Sequence, residues 1–157
     1  MTTGKNQPAS MKKPLPPTYL LSAIVLMTIL HFLFPWRDIL TGLWRLLGVV
    51  PFLIGLIMNL AADRLFKQHE TTVKPFEKSA FLIVSGVYRV SRNPMYLGFV
   101  LVLLGIATIM GSLSPWIVVP VFAVLMDVVF IQTEERMMAA EFGESWLAYK
   151  ARVRRWL

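Results

Sequence analysis

Residues 85–98 read Ser-Gly-Val-Tyr-Arg-Val-Ser-Arg-Asn-Pro-Met-Tyr-Leu-Gly, and they pass without a linker into the apolar run 95–113. A polar, basic segment that leads directly into a long apolar one predicts a helix that begins at a membrane surface. Asn93 and Pro94 suit its start. Asn can cap free N–H groups, and Pro fits the first helical position because no N–H is needed there.

Arg89 and Arg92 lie just ahead of this predicted helix start, where free N–H groups and the positive end of the helix dipole are exposed. Together they would make a site for an anionic group such as a carboxylate or phosphate. Gly98, one turn into the helix, would let a flat ligand approach the backbone. The alternative is that these arginines only fix orientation and touch lipid headgroups.

The composition of the chain indicates an integral membrane protein. Of its 157 residues 56% are hydrophobic, the mean hydropathy is +0.61, and the apolar residues form long runs. Cysteine is absent, and His31 and His69 have no partner at metal-ligand spacing, so we expect no metal site. The formal charge of +7 is interpreted through its distribution about the membrane rather than as a nucleic-acid-binding surface.

The order of polar and apolar segments predicts an all-α bundle of about four transmembrane helices with a C-terminal cytoplasmic amphipathic helix. Residues 1–17 are expected to form a flexible basic tail, and residues 18–157 a single membrane domain. The predicted spans cover about 19–34, 43–60, 95–113 and 116–132, and the cytoplasmic helix covers about 134–150. The connection from 64 to 85 is long enough to fold over the membrane surface as a lid.

Pairs of glycines lie seven residues apart in two of the predicted spans: Gly48 with Gly55, and Gly98 with Gly105. Each pair therefore lies on one helix face and would allow close helix packing. Asp127 lies within the last predicted span, where an acid usually faces the bundle or a wet cavity. It is a functional candidate, or a structural residue near the interface.

The basic residues predict the topology. Fourteen of the 16 Lys and Arg residues fall in the N-terminal tail, the 64–92 connection and the segment from 136 onwards, leaving Arg37 and Arg45 near the first turn. The positive-inside rule then places both termini in the cytoplasm and the protein in the inner or plasma membrane. Glu134 and Glu135 leave the last span on the same side as the arginine motif.

The acidic pair and the arginine motif are thus expected to be near neighbours at the cytoplasmic end of a helical hairpin. A pocket with arginines at one end and acids at the other suits a zwitterionic ligand such as S-adenosylmethionine. Its carboxylate would take the arginines, and its sulfonium, amine or ribose hydroxyls the acids. The alternative for Glu134 and Glu135 is a favourable charge pair at the N-terminus of the amphipathic helix.

These motifs resemble those of the isoprenylcysteine carboxyl methyltransferase and phospholipid methyltransferase group. The residues that carry the resemblance are Gly86-x-Tyr88-Arg89-x-x-Arg92-Asn93-Pro94-x-Tyr96-x-Gly98, then Glu134-Glu135, then Phe142-Gly143-x-x-Trp146-x-x-Tyr149-x-x-x-Val153. The resemblance implies a membrane enzyme that binds S-adenosylmethionine at the cytoplasmic face and admits a lipid-like substrate through an apolar tunnel. It implies cofactor binding by Tyr88, Arg89, Arg92, Asn93, Pro94, Tyr96, Leu97, Gly98, Glu134 and Glu135.

The chain departs from the eukaryotic carboxyl methyltransferases of this group at two places. Asn93 stands where they usually carry His, so a role that needs imidazole would be lost. The tail Arg152-Val153-Arg154-Arg155 stands where they carry an Arg-Pro-containing segment.

The resulting functional prediction is methyl transfer from S-adenosylmethionine to a carboxylate, amine or thiol of a lipid-like or membrane-partitioned acceptor. Arg92 and Glu135 are the candidate catalytic residues, and either Glu134 or Glu135 would act as a base for an amine or thiol. Membrane lipids are the expected surroundings. The alternatives are an NADPH-dependent membrane reductase related to sterol reductases, and a non-enzymatic small membrane or lipid-binding protein.

Overall fold

The structure, a computed structural model, describes residues 15–68 and 81–157. Within these ranges the chain is helical and contains no strand, which confirms the all-α prediction. Residues 1–14 of the predicted tail and residues 69–80 of the predicted lid lie outside the described residues.

Five α-helices, two 3₁₀ segments and one π-helical segment follow one another along the described ranges. In chain order they are α1 (Pro16–Leu33), a 3₁₀ segment (Gly42–Gly48), α2 (Val49–Gln68), a 3₁₀ turn (Gly86–Arg89), α3 (Pro94–Met110), α4 (Ser114–Met126), a π segment (Asp127–Ile131) and α5 (Gln132–Arg152). The helix that contains the second predicted span continues to Gln68, so the first residues of the predicted connection are helical. Asp63 and Lys67 form an ion pair one turn apart there, at 2.6 Å.

Three helical stretches are long and apolar enough to cross a membrane: Pro16–Leu33, Gly42–Gln68 and Ser114–Arg152. The apolar α3 is shorter. Large apolar side chains such as Phe32, Leu43 and Ile57 are exposed on the outer faces of the first two stretches. Apolar faces without a protein partner are expected where helices meet lipid, because the hydrocarbon itself covers them. The cytoplasmic location of the termini remains a prediction.

The two glycine pairs pack α2 and the 3₁₀ segment before it against α3. A Cβ built on Gly48 would collide with the carbonyl oxygen of Gly105, and one built on Gly55 would collide with that of Gly98. The four glycines thus match in antiparallel order, first with last, and bring the two backbones into contact. The predicted role of these pairs in close helix packing is confirmed.

The apolar core lies between α1, α3, α4 and the π segment. Met27, Leu103, Met126, Phe130 and Ile131 have no exposed surface. The short connection between α3 and α4 is anchored to the segment after α1, since the backbone N–H groups of Ile39 and Leu40 both donate to the carbonyl of Gly111. These contacts fix the α3–α4 hairpin at the end of the bundle remote from the arginine motif.

The last predicted span and the predicted C-terminal helix form one continuous helical stretch from Ser114 to Arg152. Two irregularities shape it: the π segment at Asp127–Ile131 and a bend inside α5 at Gly143. The backbone of Gly143 has φ 50° and ψ −120°, a conformation that residues with a Cβ avoid. The bend divides α5 into a first arm (132–142) and a second arm (144–152).

Candidate active site

The arginine motif is held by the second arm of α5 and by the C-terminal segment that follows it. The Tyr149 hydroxyl donates to the carbonyl of Tyr88 at 2.7 Å. The buried Ser91 hydroxyl donates to the carbonyl of Arg155 at 3.0 Å, and the backbone N–H of Arg92 donates to the carbonyl of Arg154 at 3.0 Å. These bonds attach residues 88–92 to the end of the chain, about 60 residues away in sequence.

Asn93 occupies the N-cap position of α3, as predicted, and Pro94 begins the helix, but the expected side-chain cap is not formed. The Asn93 side-chain amide instead donates to the carbonyl of Arg155 at 3.1 Å, and the Asn93 backbone N–H donates to the hydroxyl of Ser91. The prediction that Asn93 caps the helix was therefore wrong. The competing acceptor is the backbone carbonyl of Arg155, and the sequence did not predict that this residue lies beside Asn93.

Arg92 and Glu135 form a buried ion pair at the centre of the site. The Nη2 atom of Arg92 lies 3.4 Å from Oε1 of Glu135, and the side chains are 7% and 8% exposed. The guanidinium also lies over the Trp146 ring, 5.6 Å from its centroid. Cations over an indole face gain electrostatic attraction, most strongly when water is excluded. The structure thus brings together two residues predicted to act in catalysis.

Arg155 completes this cluster from the C-terminal segment. Its Nε donates to Oε1 of Glu135 at 3.1 Å and its Nη2 to Oε2 at 2.7 Å, which is a bidentate pairing. Its Nη1 lies 3.2 Å and 3.4 Å from the two carboxylate oxygens of Asp127. Asp127, which the sequence left as either functional or structural, is therefore the outer anchor of Arg155.

Two guanidinium nitrogens of Arg92 remain without a partner. Nε and Nη1 are both buried, and neither makes a hydrogen bond within the described part of the chain. Buried donors in native proteins are almost always satisfied, so such a pair calls for a ligand or ordered water. Nε and Nη1 do not share an edge of the guanidinium, so each would donate to a separate acceptor, such as a carboxylate or phosphate oxygen.

Glu134 lies on a different face of α5 from Glu135 and has a different partner. The Tyr96 hydroxyl donates to Oε1 of Glu134 at 2.7 Å. The Tyr96 ring stacks on Phe130 at 6.0 Å between centroids, with Phe99 in edge contact. The two neighbouring glutamates thus differ in chemistry: Glu135 is neutralised by arginines, whereas Glu134 is hydrogen-bonded by a phenol beside the apolar core.

A cleft of about 350 Å³ opens beside the Arg92–Glu135 pair. Its wall comes from both arms of α5 and from the C-terminal segment: Gln132, Glu135, Arg136, Ala139, Trp146, Leu147, Lys150 and Arg155. The volume falls at the lower end of the range for small-molecule sites. The bend at Gly143 creates this cleft, because it places Trp146 opposite Glu135.

The remaining predicted residues differ in their exposure. Pro94 and Leu97 are buried, whereas Arg89 is exposed at the end of the 3₁₀ turn, away from the buried Arg92. The space expected to admit a flat ligand at Gly98 is taken by α2, because a Cβ there would collide with the side chain of Asn59 and the carbonyl of Gly55. Asn59 Oδ1 is buried beside it and without a hydrogen-bond partner among the described residues.

Two titratable side chains of the site, Tyr88 and Arg155, have displaced pKa values. Burial, reinforced by the charges of Tyr149 and Glu134, raises the pKa of the Tyr88 phenol well above its usual range, so Tyr88 is neutral. The hydrogen bonds that Arg155 donates to Glu135 raise the pKa of its guanidinium, so this side chain stays charged. Within residues 15–68 and 81–157, no group of three or more His, Cys, Asp or Glu side chains could hold a metal ion.

Sequence reasoning missed Arg155 and Trp146 as members of the site. The sequence pattern assigns Arg155 only to the basic C-terminal tail and Trp146 only to the family motif. The available signal was Gly143, since a glycine inside a helical pattern marks a break or bend. Such a bend returns the end of the chain to the arginine motif.

The described residues form an apolar helical bundle with a buried arginine, partly without hydrogen-bond partners, at one end. The sequence profile of the phospholipid methyltransferase family matches residues 43–145, about two thirds of the chain, and the chain belongs to that family. This confirms the resemblance seen in the sequence. Membership implies methyltransferase activity of the membrane-lipid type.

The chain is also similar to an uncharacterized protein of Haemophilus influenzae. The two are 35% identical over 63 residues, which is 40% of this chain and all of that protein. No solved structure matches the chain.

Proposed function

We propose that this methyltransferase uses S-adenosylmethionine and transfers its methyl group to a lipid-like acceptor at the cytoplasmic membrane face. The observation that carries the proposal is Arg92, whose side chain is 7% exposed and leaves two buried donors free beside a cleft of about 350 Å³. Glu135 and Trp146, which contact Arg92, line this cleft, so a ligand that extends from the cleft to Arg92 would supply an anionic oxygen to a free donor.

The donor set fits S-adenosylmethionine. Nε or Nη1 of Arg92 would hold the amino-acid carboxylate through a charge-assisted hydrogen bond. The Trp146 ring lies in the wall of the cleft with the Arg92 guanidinium over it, so it holds this guanidinium beside the space for the cofactor. The bound cofactor would supply a methyl group on a positively charged sulfur. The neutral thioether formed when this methyl group is transferred is a good leaving group.

The protein's own contribution is alignment and exclusion of water. Arg92 and Glu135 are held by Arg155 and Trp146, so the site needs little rearrangement when a ligand binds. Glu134 is the better proton acceptor for an amine or thiol acceptor. Both oxygens of Glu135 accept hydrogen bonds from Arg155, whereas Glu134 accepts one from the neutral hydroxyl of Tyr96.

The acceptor would reach the site from the bilayer. Glu134 and Tyr96 adjoin the apolar residues Phe99 and Phe130 rather than the cleft that opens beside Glu135. A cofactor on the polar side and an acceptor on the apolar side would meet between the two glutamates. A carboxylate acceptor would need no base, so Glu134 would then act only on the geometry of the site.

The test is a ligand titration of the detergent-purified protein, with thermal stability as the signal. S-adenosylmethionine and S-adenosylhomocysteine are expected to raise the unfolding temperature, because each binds only the folded state. NADPH is expected to have no effect. Arg92→Gln should abolish the shift, whereas Arg37→Gln, an exposed arginine at the opposite end of the bundle, should retain it.

A shift with NADPH alone would replace this proposal with the reductase alternative. No shift with any of the three compounds would leave the buried arginine without its proposed ligand and would contradict the proposal. An equal shift in wild-type protein and in Arg92→Gln would show that the cofactor binds elsewhere.

A further inference from the structure

Arg155, in the C-terminal segment, forms ion pairs with two acids, Glu135 and Asp127. We propose that Arg155 is a positioning residue that keeps the free donors of Arg92 available for the cofactor carboxylate, by occupying the oxygens of Glu135. The inference rests on the proposed function, since it concerns how the same cofactor is bound.

The first step of the argument concerns the two oxygens of Glu135. Arg155 takes one with Nε and the other with Nη2, at 3.1 Å and 2.7 Å. A carboxylate held in this bidentate manner has a fixed plane. Arg92 can therefore reach only Oε1, and it does so with a single nitrogen, Nη2, at the longer distance of 3.4 Å.

The second step concerns what Arg92 would do without Arg155. A buried arginine beside a free carboxylate pairs with it through two nitrogens, because this satisfies more buried donors than one contact does. Arg92 would then turn its fork towards Glu135 and lose the donors that now point elsewhere. By competing for Glu135, Arg155 prevents this self-pairing.

The third step concerns how Arg155 itself is held. Asp127, in the π segment, accepts a hydrogen bond from Nη1 of Arg155. The backbone carbonyl of Arg155 accepts hydrogen bonds from Ser91 and Asn93. The residue is thus fixed at its backbone by the arginine motif and at its head by Asp127. This double attachment is more than a solvated tail arginine would require.

The experiment compares two ligands that differ in the amino-acid group. S-adenosylhomocysteine carries the α-carboxylate and α-amino groups, whereas 5′-methylthioadenosine has the same adenosine and thioether without either. Their dissociation constants are measured by calorimetry on the full-length, detergent-purified chain. In Arg155→Gln, S-adenosylhomocysteine should bind about tenfold more weakly, while 5′-methylthioadenosine should change less than about threefold.

Three further variants sharpen the comparison. Arg155→Lys should show the same selective loss, since one ammonium group cannot hold both oxygens of Glu135. Asp127→Asn removes only the outer anchor and should give a smaller selective loss, and it serves if Arg155→Gln does not fold. Arg152→Gln is the matched control, because the exposed side chain of Arg152 donates to Ala148 of its own helix.

Equal weakening of both ligands in Arg155→Gln would assign Arg155 a general structural role and overturn the inference. Unchanged binding of both would overturn it as well. In either case wild-type protein still binds S-adenosylhomocysteine, so the proposed function survives. If wild-type protein binds neither compound, the proposed function and this inference both fail.

Discussion

The guanidinium of Arg92 lies 3.4 Å from the carboxylate of Glu135, and the two side chains are 7% and 8% exposed. Charges so deeply buried are tolerated only when they are paired and hydrogen-bonded. Glu135 meets this condition through Arg155, but Arg92 does not meet it fully, since two of its nitrogens have no partner within the described residues. The hydrogen-bonding groups of Glu135 are thus satisfied, whereas those of Arg92 are satisfied only in part.

Substituting Glu135 should destabilise the protein even without ligand. Glu135→Gln leaves Arg92 buried without a counter-charge, a change that costs about 3 kcal/mol or more in comparable buried pairs. The unfolding temperature in detergent should fall by several degrees. Glu144→Gln, an exposed acid on the same helix, is the control and should leave it unchanged. Equal unfolding temperatures for the two variants would show that the ion pair contributes little to stability.

The glycine contacts between α2 and α3 should be sensitive to a single methyl group. Gly105→Ala would push a Cβ against the Gly48 carbonyl and the Phe52 side chain, so the helices must separate. We expect a loss of about 1–3 kcal/mol, as for overpacked cores, measured as a lower unfolding temperature. Val121→Ile adds the same group on the exposed face of α4 and should have little effect. A neutral Gly105→Ala would contradict the close packing.

The bend at Gly143 should matter for ligand binding as well as for stability. Gly143→Ala places a Cβ on a backbone with φ 50°, which costs about 1–2 kcal/mol and favours a straighter helix. A straighter α5 would move Trp146 and Arg155 away from Glu135 and weaken S-adenosylhomocysteine binding.

Gly42→Ala is the matched control for this bend. Gly42 has φ 57° and free space around its Cβ position, as Gly143 does, but lies at the other end of the bundle. It should lose comparable stability and keep its affinity for S-adenosylhomocysteine. Equal affinities of the two variants for S-adenosylhomocysteine would show that ligand binding does not depend on the bend at Gly143.

The buried Tyr88 phenol should make stability fall at alkaline pH. Burial raises the pKa of Tyr88 above its unfolded value of about 10, so the folded state retains a proton that the unfolded state releases. This contribution is fully present below about pH 10 and is lost as the pH rises towards the folded pKa. Tyr88→Phe should therefore reduce the slope of unfolding temperature against pH above about 10. An unchanged slope would show that Tyr88 does not contribute.

The sequence predicted the features that depend on residues close together in the chain. Hydrophobic runs gave the helices, and glycines seven residues apart gave the contact between α2 and α3. The hairpin argument also brought Glu135 to Arg92, because α3 and α4 are joined by a short connection.

The contacts made by the C-terminal segment could not be predicted in the same way. Arg155 reaches the site only because α5 bends at Gly143, and neither charge nor periodicity specifies the direction of such a bend. The same contacts explain the failed expectation for Asn93, whose amide donates to the carbonyl of Arg155 instead of capping α3. The continuous helix through Asp127 was missed because a π segment has no simple sequence signal.

The most direct test of the account is methyl transfer itself. Purified protein is reconstituted into vesicles made from a total bacterial membrane extract and supplied with S-adenosylmethionine labelled in its methyl group. The account predicts that label enters the organic phase with wild-type protein and with Arg37→Gln, but not with Arg92→Gln. Label that stays in the aqueous phase with wild-type protein, or that enters the lipid equally with Arg92→Gln, would contradict it.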